Sequence, residues 1–231
     1  MSVFRFKKFN ITHAKSAMKV GTDGVLLGSW VYSNQSNNIL DVGCGTGLIS
    51  LMLAQRNLKS TITGIEIDKT ASKEAQFNIN NSPWRQRICI INTSLQEFKT
   101  KIKYDLIVSN PPFFPSNKSI DRRTIARHTN SLSFKELIQN SVELLEETGI
   151  LAVIIPKDYE VDFCEIAKRY KLFCLRICYV KGNEKSEVKR VLIEFAFGMY
   201  KIQEEHLIIE RSRHEYTDAY INLCQDFYLN M

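Results

Sequence analysis

No apolar run in this 231-residue chain approaches the roughly 20 residues that a membrane-spanning helix needs. Its opening stretch, Met1-Ser2-Val3-Phe4-Arg5-Phe6-Lys7-Lys8, has no apolar core of the kind a secretory leader carries. A cytoplasmic protein without a membrane partner is therefore expected. No two of the six cysteines form a Cys-x-x-Cys pair, and most sit in apolar segments, so they read as reduced core residues. The four histidines, His13, His128, His206 and His214, share no metal-ligand spacing, and no metal is expected. Internal repeats and low-complexity tracts are absent, which excludes solenoids and disordered chains. Acidic residues are missing from the first 19 positions, where five basic ones stand: Arg5, Lys7, Lys8, Lys15 and Lys19. At 44% hydrophobic and 24% charged, with a net charge of +6, the chain suits one sizeable α/β domain whose charge placement matters more than its sum.

Within these bounds the first informative stretch is Ile39-Leu40-Asp41-Val42, a short buried strand, followed by Gly43-Cys44-Gly45-Thr46-Gly47 and an apolar helix over 48–54. Glycines at alternate positions let the backbone take positive φ and approach a ligand closely, while the helix start offers free N–H groups. A nucleotide-like cofactor is expected here. The third glycine falls one residue early for a dinucleotide fingerprint, and no Gly-Lys-Ser/Thr follows to make a phosphate-binding P-loop. Asp41-Val42-Gly43-Cys44-Gly45-Thr46-Gly47 instead resembles the first motif of Rossmann-like S-adenosylmethionine methyltransferases. A second strand over 61–65 ends in Glu66-Ile67-Asp68, about twenty residues past the loop, where such folds place a ribose-binding acid. Glu66 is expected in that role, with Asp68 as a solvated helix cap. A helix over 69–81 and a third strand over 88–92 follow. Methyltransferases of this type usually carry an acid just after that strand to accept from the adenine amine; here Thr93-Ser94 stands in its place, and Ser94 can accept only through a hydroxyl.

The next buried strand, Asp105-Leu106-Ile107-Val108-Ser109, runs into Asn110-Pro111-Pro112-Phe113. Two prolines stop the ladder and stiffen the backbone, leaving carbonyls without a sheet partner. Asn110 and the Pro111 carbonyl can accept from an amine, and Phe113 offers a flat apolar face, so the corner suits a planar ring with an exocyclic amine. The bland alternative is a proline-stiffened loop with its Phe in the core.

Around this centre the readings are coarser. The N-terminal arm interleaves Phe4, Phe6 and Phe9 with Arg5, Lys7 and Lys8, as an edge strand with a solvated face or an RNA contact surface does; the two are compatible. Gly21-Thr22-Asp23-Gly24 reads as a turn and N-cap before a helix over 25–31. The polar loop after Phe113 carries Lys118, Arg122, Arg123 and Arg127 and is either a mobile loop or one that grips substrate. A helix over 133–147 closed by Gly149, a strand over 150–156, a helix over 159–170 and two strands, 172–180 and 188–197, complete the pattern. The fold class expected is α/β, a Rossmann-like, mostly parallel seven-stranded sheet with an antiparallel edge hairpin and helices on both faces. The expected organisation is one domain: 1–35 as arm and helix, 36–200 as core, and 201–231 as a C-terminal extension.

Taken together the chain resembles the bacterial tRNA1(Val) adenine-N6 methyltransferase family along nearly its whole length. The likeness rests on the arm, on Ala17-Met18-Lys19-Val20-Gly21-Thr22-Asp23-Gly24, the glycine loop, Asn80-Asn81-Ser82-Pro83-Trp84, Asn110-Pro111-Pro112-Phe113, Lys189-Arg190-Val191-Leu192 and the tail over 216–231. The resemblance implies methylation of the exocyclic N6 amine of the adenosine immediately 3′ of the anticodon in a valine tRNA, with S-adenosyl-L-methionine as cofactor. It implies Asn110, Pro111, Pro112 and Phe113 as catalytic residues. Lys19, Thr22, Asp23, Asp41, Gly43, Gly45, Gly47, Glu66, Ser94 and Asn110 form the cofactor-binding set. Arg5, Lys7, Lys8, Lys118, Arg122, Arg123, Arg127 and Arg190 are expected on RNA. A monomer is expected, with a homodimer left open. Two other activities fit parts of the pattern: methylation of a protein glutamine amide at the same corner, and a non-catalytic RNA-binding module, whose support is the Ser94 departure.

Overall fold

The computed structural model describes residues 3–13, 19–112 and 132–231. The chain opens with an antiparallel hairpin, β1 (Val3–Arg5) and β2 (Asn10–Thr12), separate from the main sheet. After α1 (Thr22–Trp30), strands and helices alternate: β3 (Asn38–Val42), α2 (Leu48–Arg56), β4 (Thr61–Glu66), α3 (Lys69–Asn80), β5 (Ile88–Asn92) and β6 (Tyr104–Ser109). Then come α4 (Phe134–Leu144), β7 (Leu145–Pro156), a 3-10 turn (Lys157–Tyr159), α5 (Glu160–Arg169), β8 (Leu172–Asn183) and β9 (Val188–Phe197). β10 (Gln203–Ser212), β11 (Glu215–Tyr216) and α6 (Asp218–Cys224) end the described elements.

The main sheet runs β11-β10-β8-β9-β7-β6-β3-β4-β5. β3 pairs in parallel with β4 on one side and with β6 on the other, so chain order reverses beside it. That reversal opens a crevice at the strands' C-terminal ends, where ligands of open α/β sheets bind. Register brings Val42 level with Ile65 and Ser109, which sets the glycine loop beside Glu66 and Asn110. Side chains alternate across the sheet as the strand period of two requires. Ile39, Ile62, Leu106, Val108 and Ile154 join one core with α1 and α2, whereas Leu40, Ile65, Ile107, Val153 and Ile155 join the other with α4 and α5.

Several expectations are corrected. The sheet has nine strands among the described residues, not seven. Leu207, Ile208 and Ile209 interrupt the acidic tail with apolar residues, and β10 pairs in parallel with β8, with β11 added to its far side. Thr22, Asp23 and Gly24 are the first turn of α1 itself, with Gly21 as the N-cap residue. The helix expected over 133–147 stops at Leu144, and Gly149 lies inside β7 at an irregularity opposite β6. A Cβ on Gly149 would sit 2.8 Å from the Tyr104 carbonyl oxygen, so close backbone approach, not helix termination, requires glycine there. Cys89 is exposed, unlike the buried Cys44, Cys178 and Cys224; all six thiols are free.

Both chain ends pack together. Phe6 bridges to Tyr228, and the rings of Phe4, Phe6, Phe9, Trp84 and Tyr228 form one aromatic cluster with centroid separations of 4.6–6.1 Å. The aromatics of the basic arm thus face inward. No helix among the described residues is long and apolar enough to cross a membrane.

Candidate active site

The glycine loop leaves β3 with Gly43, Gly45 and Gly47 at φ of 69°, 55° and 80°. At Gly43 and Gly45 an added Cβ would meet no atom within 4 Å, so those positions face open space and require glycine for backbone conformation rather than packing. The loop is fastened from β4: the N–H groups of Gly43 and Cys44 donate to the Ile65 carbonyl at 2.9 and 3.0 Å, and the Gly45 N–H donates to Glu66 Oε2 at 2.9 Å. Gly47 is the N-cap residue of α2. From α3, Asn78 Nδ2 donates to the Thr46 carbonyl at 2.9 Å and to the Thr12 carbonyl at 3.0 Å, while its Oδ1 accepts from the Thr12 N–H at 2.9 Å. One buried amide therefore ties the cofactor loop to the N-terminal hairpin. Sequence reading passed over Asn78, although it occupies the buried stripe of α3 with Ala71, Ala75 and Ile79, where a polar residue needs a partner.

A cavity of about 500 Å³ lies over this loop. Of the residues expected at the cofactor, Lys19, Thr22, Asp23, Gly43, Gly45, Glu66, Ser94 and Asn110 line it, together with Pro112 from the corner. Thr93, named beside Ser94 at the position of the usual acid, also lines it, as do Leu95, Gln96 and Leu132, which were not singled out. Asp41 and Gly47 stand behind the wall. Asp41 is fully buried; its Oδ2 accepts from the Ser50 N–H at 3.0 Å and the Ser50 hydroxyl at 2.6 Å, and its Oδ1 has no partner. Burial pushes its carboxyl up to about 7 against the two Ser50 hydrogen bonds, and the Glu66 charge adds to the rise. Glu66 Oε1 accepts from the Asp68 N–H at 2.8 Å, so each of its oxygens holds one backbone donor and keeps a second lone pair. Asp68 caps α3 by accepting from the Ala71 N–H at 2.7 Å. The Ser94 hydroxyl accepts from the Glu97 N–H at 3.2 Å and lies 3.1 Å from Glu97 Oε2, its proton turned to that carboxylate, which leaves the oxygen as an acceptor toward the cavity.

At the corner, Ser109 is buried and its hydroxyl donates to the Val42 carbonyl at 3.0 Å, clamping the ends of β6 and β3. Pro111 is buried and Pro112 exposed. Asn110 Oδ1 is buried with no hydrogen-bond partner. A buried carbonyl oxygen beside a cavity, held by a stiff backbone and lacking a donor, is a place for an incoming N–H.

The residues expected on RNA divide. Arg5 and Lys8 are exposed. Lys7 Nζ donates to the carbonyls of Gln225 and Met231 at 2.6 and 2.7 Å, and Arg190 Nε donates to Asp23 Oδ2 at 2.8 Å. Those two cations are engaged within the protein. Phe113, Lys118, Arg122, Arg123 and Arg127 lie outside the described residues. No cluster of three or more metal-ligating side chains occurs among the described residues.

A family model described as the methyltransferase small domain matches residues 12–169. The tRNA1(Val) (adenine(37)-N6)-methyltransferase of Flavobacterium psychrophilum is 44% identical over 99% of this chain and all of that protein. The protein of the same name from Trichodesmium erythraeum is 46% identical over 98% of this chain and 97% of its own length. This chain belongs to the tRNA1(Val) (adenine(37)-N6)-methyltransferase family. Among solved structures, a predicted O-methyltransferase from Agrobacterium tumefaciens superposes with a TM-score of 0.70 at 18% identity, covering 89% of this chain and 96% of that one. The methyltransferase subunit of a type I restriction-modification system from Streptococcus thermophilus gives 0.62 at 12% identity, over 91% of this chain and 52% of that one. The fold is thus shared with methyltransferases of differing substrates, while the family is set by the two bacterial relatives. Membership of the methyltransferase family implies S-adenosylmethionine, and the cavity fits it: an open glycine cradle and, in Glu66, a carboxylate with free lone pairs.

Proposed function

We propose that this chain methylates the exocyclic N6 amine of an adenosine in tRNA, the adenosine at position 37 of a valine tRNA, as the relatives' names state for those proteins. The observation that carries the reading is the buried, unpartnered Asn110 Oδ1 at the rim of a cavity built on the glycine loop. Gly43 and Gly45 would admit the cofactor's amino-acid part close to the backbone, Glu66 would accept from its ribose hydroxyls, and Ser94 would face its adenine. When bound, S-adenosylmethionine supplies an electrophilic methyl group on a sulfonium.

The rest of the chemistry belongs to the chain. Asn110 Oδ1 and the Pro111 carbonyl accept the two hydrogens of the target amine, turning its nitrogen lone pair toward the methyl. As positive charge develops on that nitrogen, the same two oxygens stabilise it, and no strong base is required. Phe113 stacks on the adenine, which has to leave its own stack to enter. The proton is released to solvent after transfer. The protein acts as a cytoplasmic monomer on an unpaired loop, where extruding the base is least costly.

Incubation with methyl-labelled S-adenosylmethionine and either total tRNA or a protein extract tests the reading. Label recovered as N6-methyladenosine in tRNA is the expected result; label in protein overturns it in favour of a glutamine-amide acceptor.

A further inference from the structure

A second groove, of about 790 Å³, adjoins the cofactor cavity and shares Gly21 and Thr22 with it. Its walls come from parts of the chain far apart in sequence: Phe4 and Arg5 of β1, Glu210 of β10, Tyr216 of β11, and Tyr228. Topology puts it on the catalytic edge. β9 is antiparallel to both β7 and β8, so β8 runs in the direction of β7, and β10 runs with β8. The C-terminal ends of β8 and β10 therefore emerge on the same side as those of β3 and β6. Asn110 follows β6, and three to five strand spacings of about 4.8 Å separate β6 from the groove's strands β8, β10 and β11, roughly 14–24 Å.

The lining has a particular chemistry. Tyr216, 37% exposed, packs against Tyr220 with ring centroids 5.2 Å apart and ring planes tilted by 49°. Phe4 and Tyr228 are half-buried rings. Glu210 also lines the groove; a carboxylate repels a bare phosphate and accepts well from a base amine or ring N–H. The exposed Arg5 stands at the rim. Aromatic rings beside an acceptor, with one cation at the edge among the described residues, suit an unpaired nucleobase whose own phosphate stays outside.

We infer that this groove is a second nucleobase subsite, which takes an unpaired base of the tRNA loop a few nucleotides from the methylated adenosine and stacks it on Tyr216, with Arg5 on the adjoining phosphate. This rests on the tRNA-methylating reading above. The subsite would fix the loop's register on the protein, so that the adenosine reaching Asn110 is chosen by its distance from an anchored neighbour.

The test uses the full-length protein and an anticodon stem–loop RNA that wild type methylates, with each loop nucleotide other than the target made abasic in turn. Affinities are read by fluorescence anisotropy for wild type, Tyr216→Ala and Tyr216→Phe. One abasic position should weaken wild-type binding about tenfold, the scale of a lost base–aromatic stack. Tyr216→Ala should bind the intact loop about tenfold more weakly and be indifferent to that abasic position, whereas Tyr216→Phe keeps both wild-type affinities. Arg5→Ala should reduce the log–log salt slope by roughly 0.7. Wild-type affinity of Tyr216→Ala for every methylated loop, or losses that add instead of overlapping, overturns the subsite alone. Failure of wild type to methylate any loop adenosine overturns the function beneath it.

Discussion

The two halves of the sheet are built differently. From β3 to β6 the strands are parallel, each loop at the catalytic edge is short-range in origin, and glycines, prolines and one buried serine hold the backbone. From β7 to β11 the sheet is mixed, and its polar contacts join residues far apart in sequence. There Arg176 lies over the Trp30 ring at 4.1 Å, donates from Nε to Glu205 Oε1 at 2.7 Å, and stands 3.6 Å from the buried Glu194. Glu194 also accepts from the Tyr32 N–H at 2.8 Å, and burial raises its carboxyl above the usual range. The first half organises the chemistry. The second holds the chain ends where they shape the rim. Damage to the first should therefore remove turnover or cofactor binding, and damage to the second should chiefly cost stability.

The largest expected effect is at Asn110. Asn110→Ala leaves the cavity's floor untouched but deletes the unpartnered acceptor, so kcat should fall by about 10²–10³, the usual scale for one preorganised polar group. Cofactor affinity, measured by calorimetry, should stay within about threefold. A loss shared equally by binding and turnover would show that Asn110 serves the cofactor instead of the amine.

Asn78 comes next because it ties the first region's glycine loop to the N-terminal hairpin. Asn78→Leu removes three hydrogen bonds and leaves the buried Thr46 carbonyl and both Thr12 backbone groups in want of partners. A stability loss of about 2–4 kcal/mol in urea melts is expected, with cofactor binding weakened at least tenfold because the loop loses its clamp. Stability falling with normal cofactor affinity would separate the hairpin from the loop.

Asp41 sharpens the comparison through pH. Burial pushes its folded carboxyl up to about 7, far above the ordinary carboxylate range. Between about pH 4 and pH 7 the unfolded chain has lost this proton while the native protein keeps it, so Asp41 makes stability fall as pH rises through that window. Asp41→Asn should abolish this contribution, on the order of a few kcal/mol, and raise the Tm at pH 8 relative to wild type more than at pH 5. Equal differences at both pH values would rule the titration out.

The smallest effect belongs to the second region. Lys7→Met breaks the two bonds to Gln225 and Met231 and should lower the Tm by roughly 2–4 °C without changing cofactor affinity. A weaker tRNA affinity with an unchanged Tm would return Lys7 to the RNA surface.

These differences also explain what was legible in the sequence. The glycine loop, Glu66, Asp68 as a cap and the Asn110 corner declare themselves because their conformations follow from neighbouring residues: glycines where φ is positive, prolines where a ladder stops. The inward turn of Phe4, Phe6 and Phe9 was not legible, since an alternating arm suits either a solvated edge or a packed one, and the deciding partner, Tyr228, stands at the other end of the chain. The engagement of Lys7 and Arg190 escaped for the same reason: a cation's partner 167 or more residues away leaves no local mark. β10 was hidden by its acids, of which Glu205 is turned in toward Arg176 and Trp30.

The central claim, that the corner after β6 methylates one tRNA adenosine, is tested most directly by nucleoside mass spectrometry of valine tRNA after incubation with wild type and with Asn110→Ala. N6-methyladenosine should appear at position 37, the position in the relatives' names, with wild type and be absent with the variant. Equal methylation by both proteins, or methylation at another nucleotide, would contradict the account.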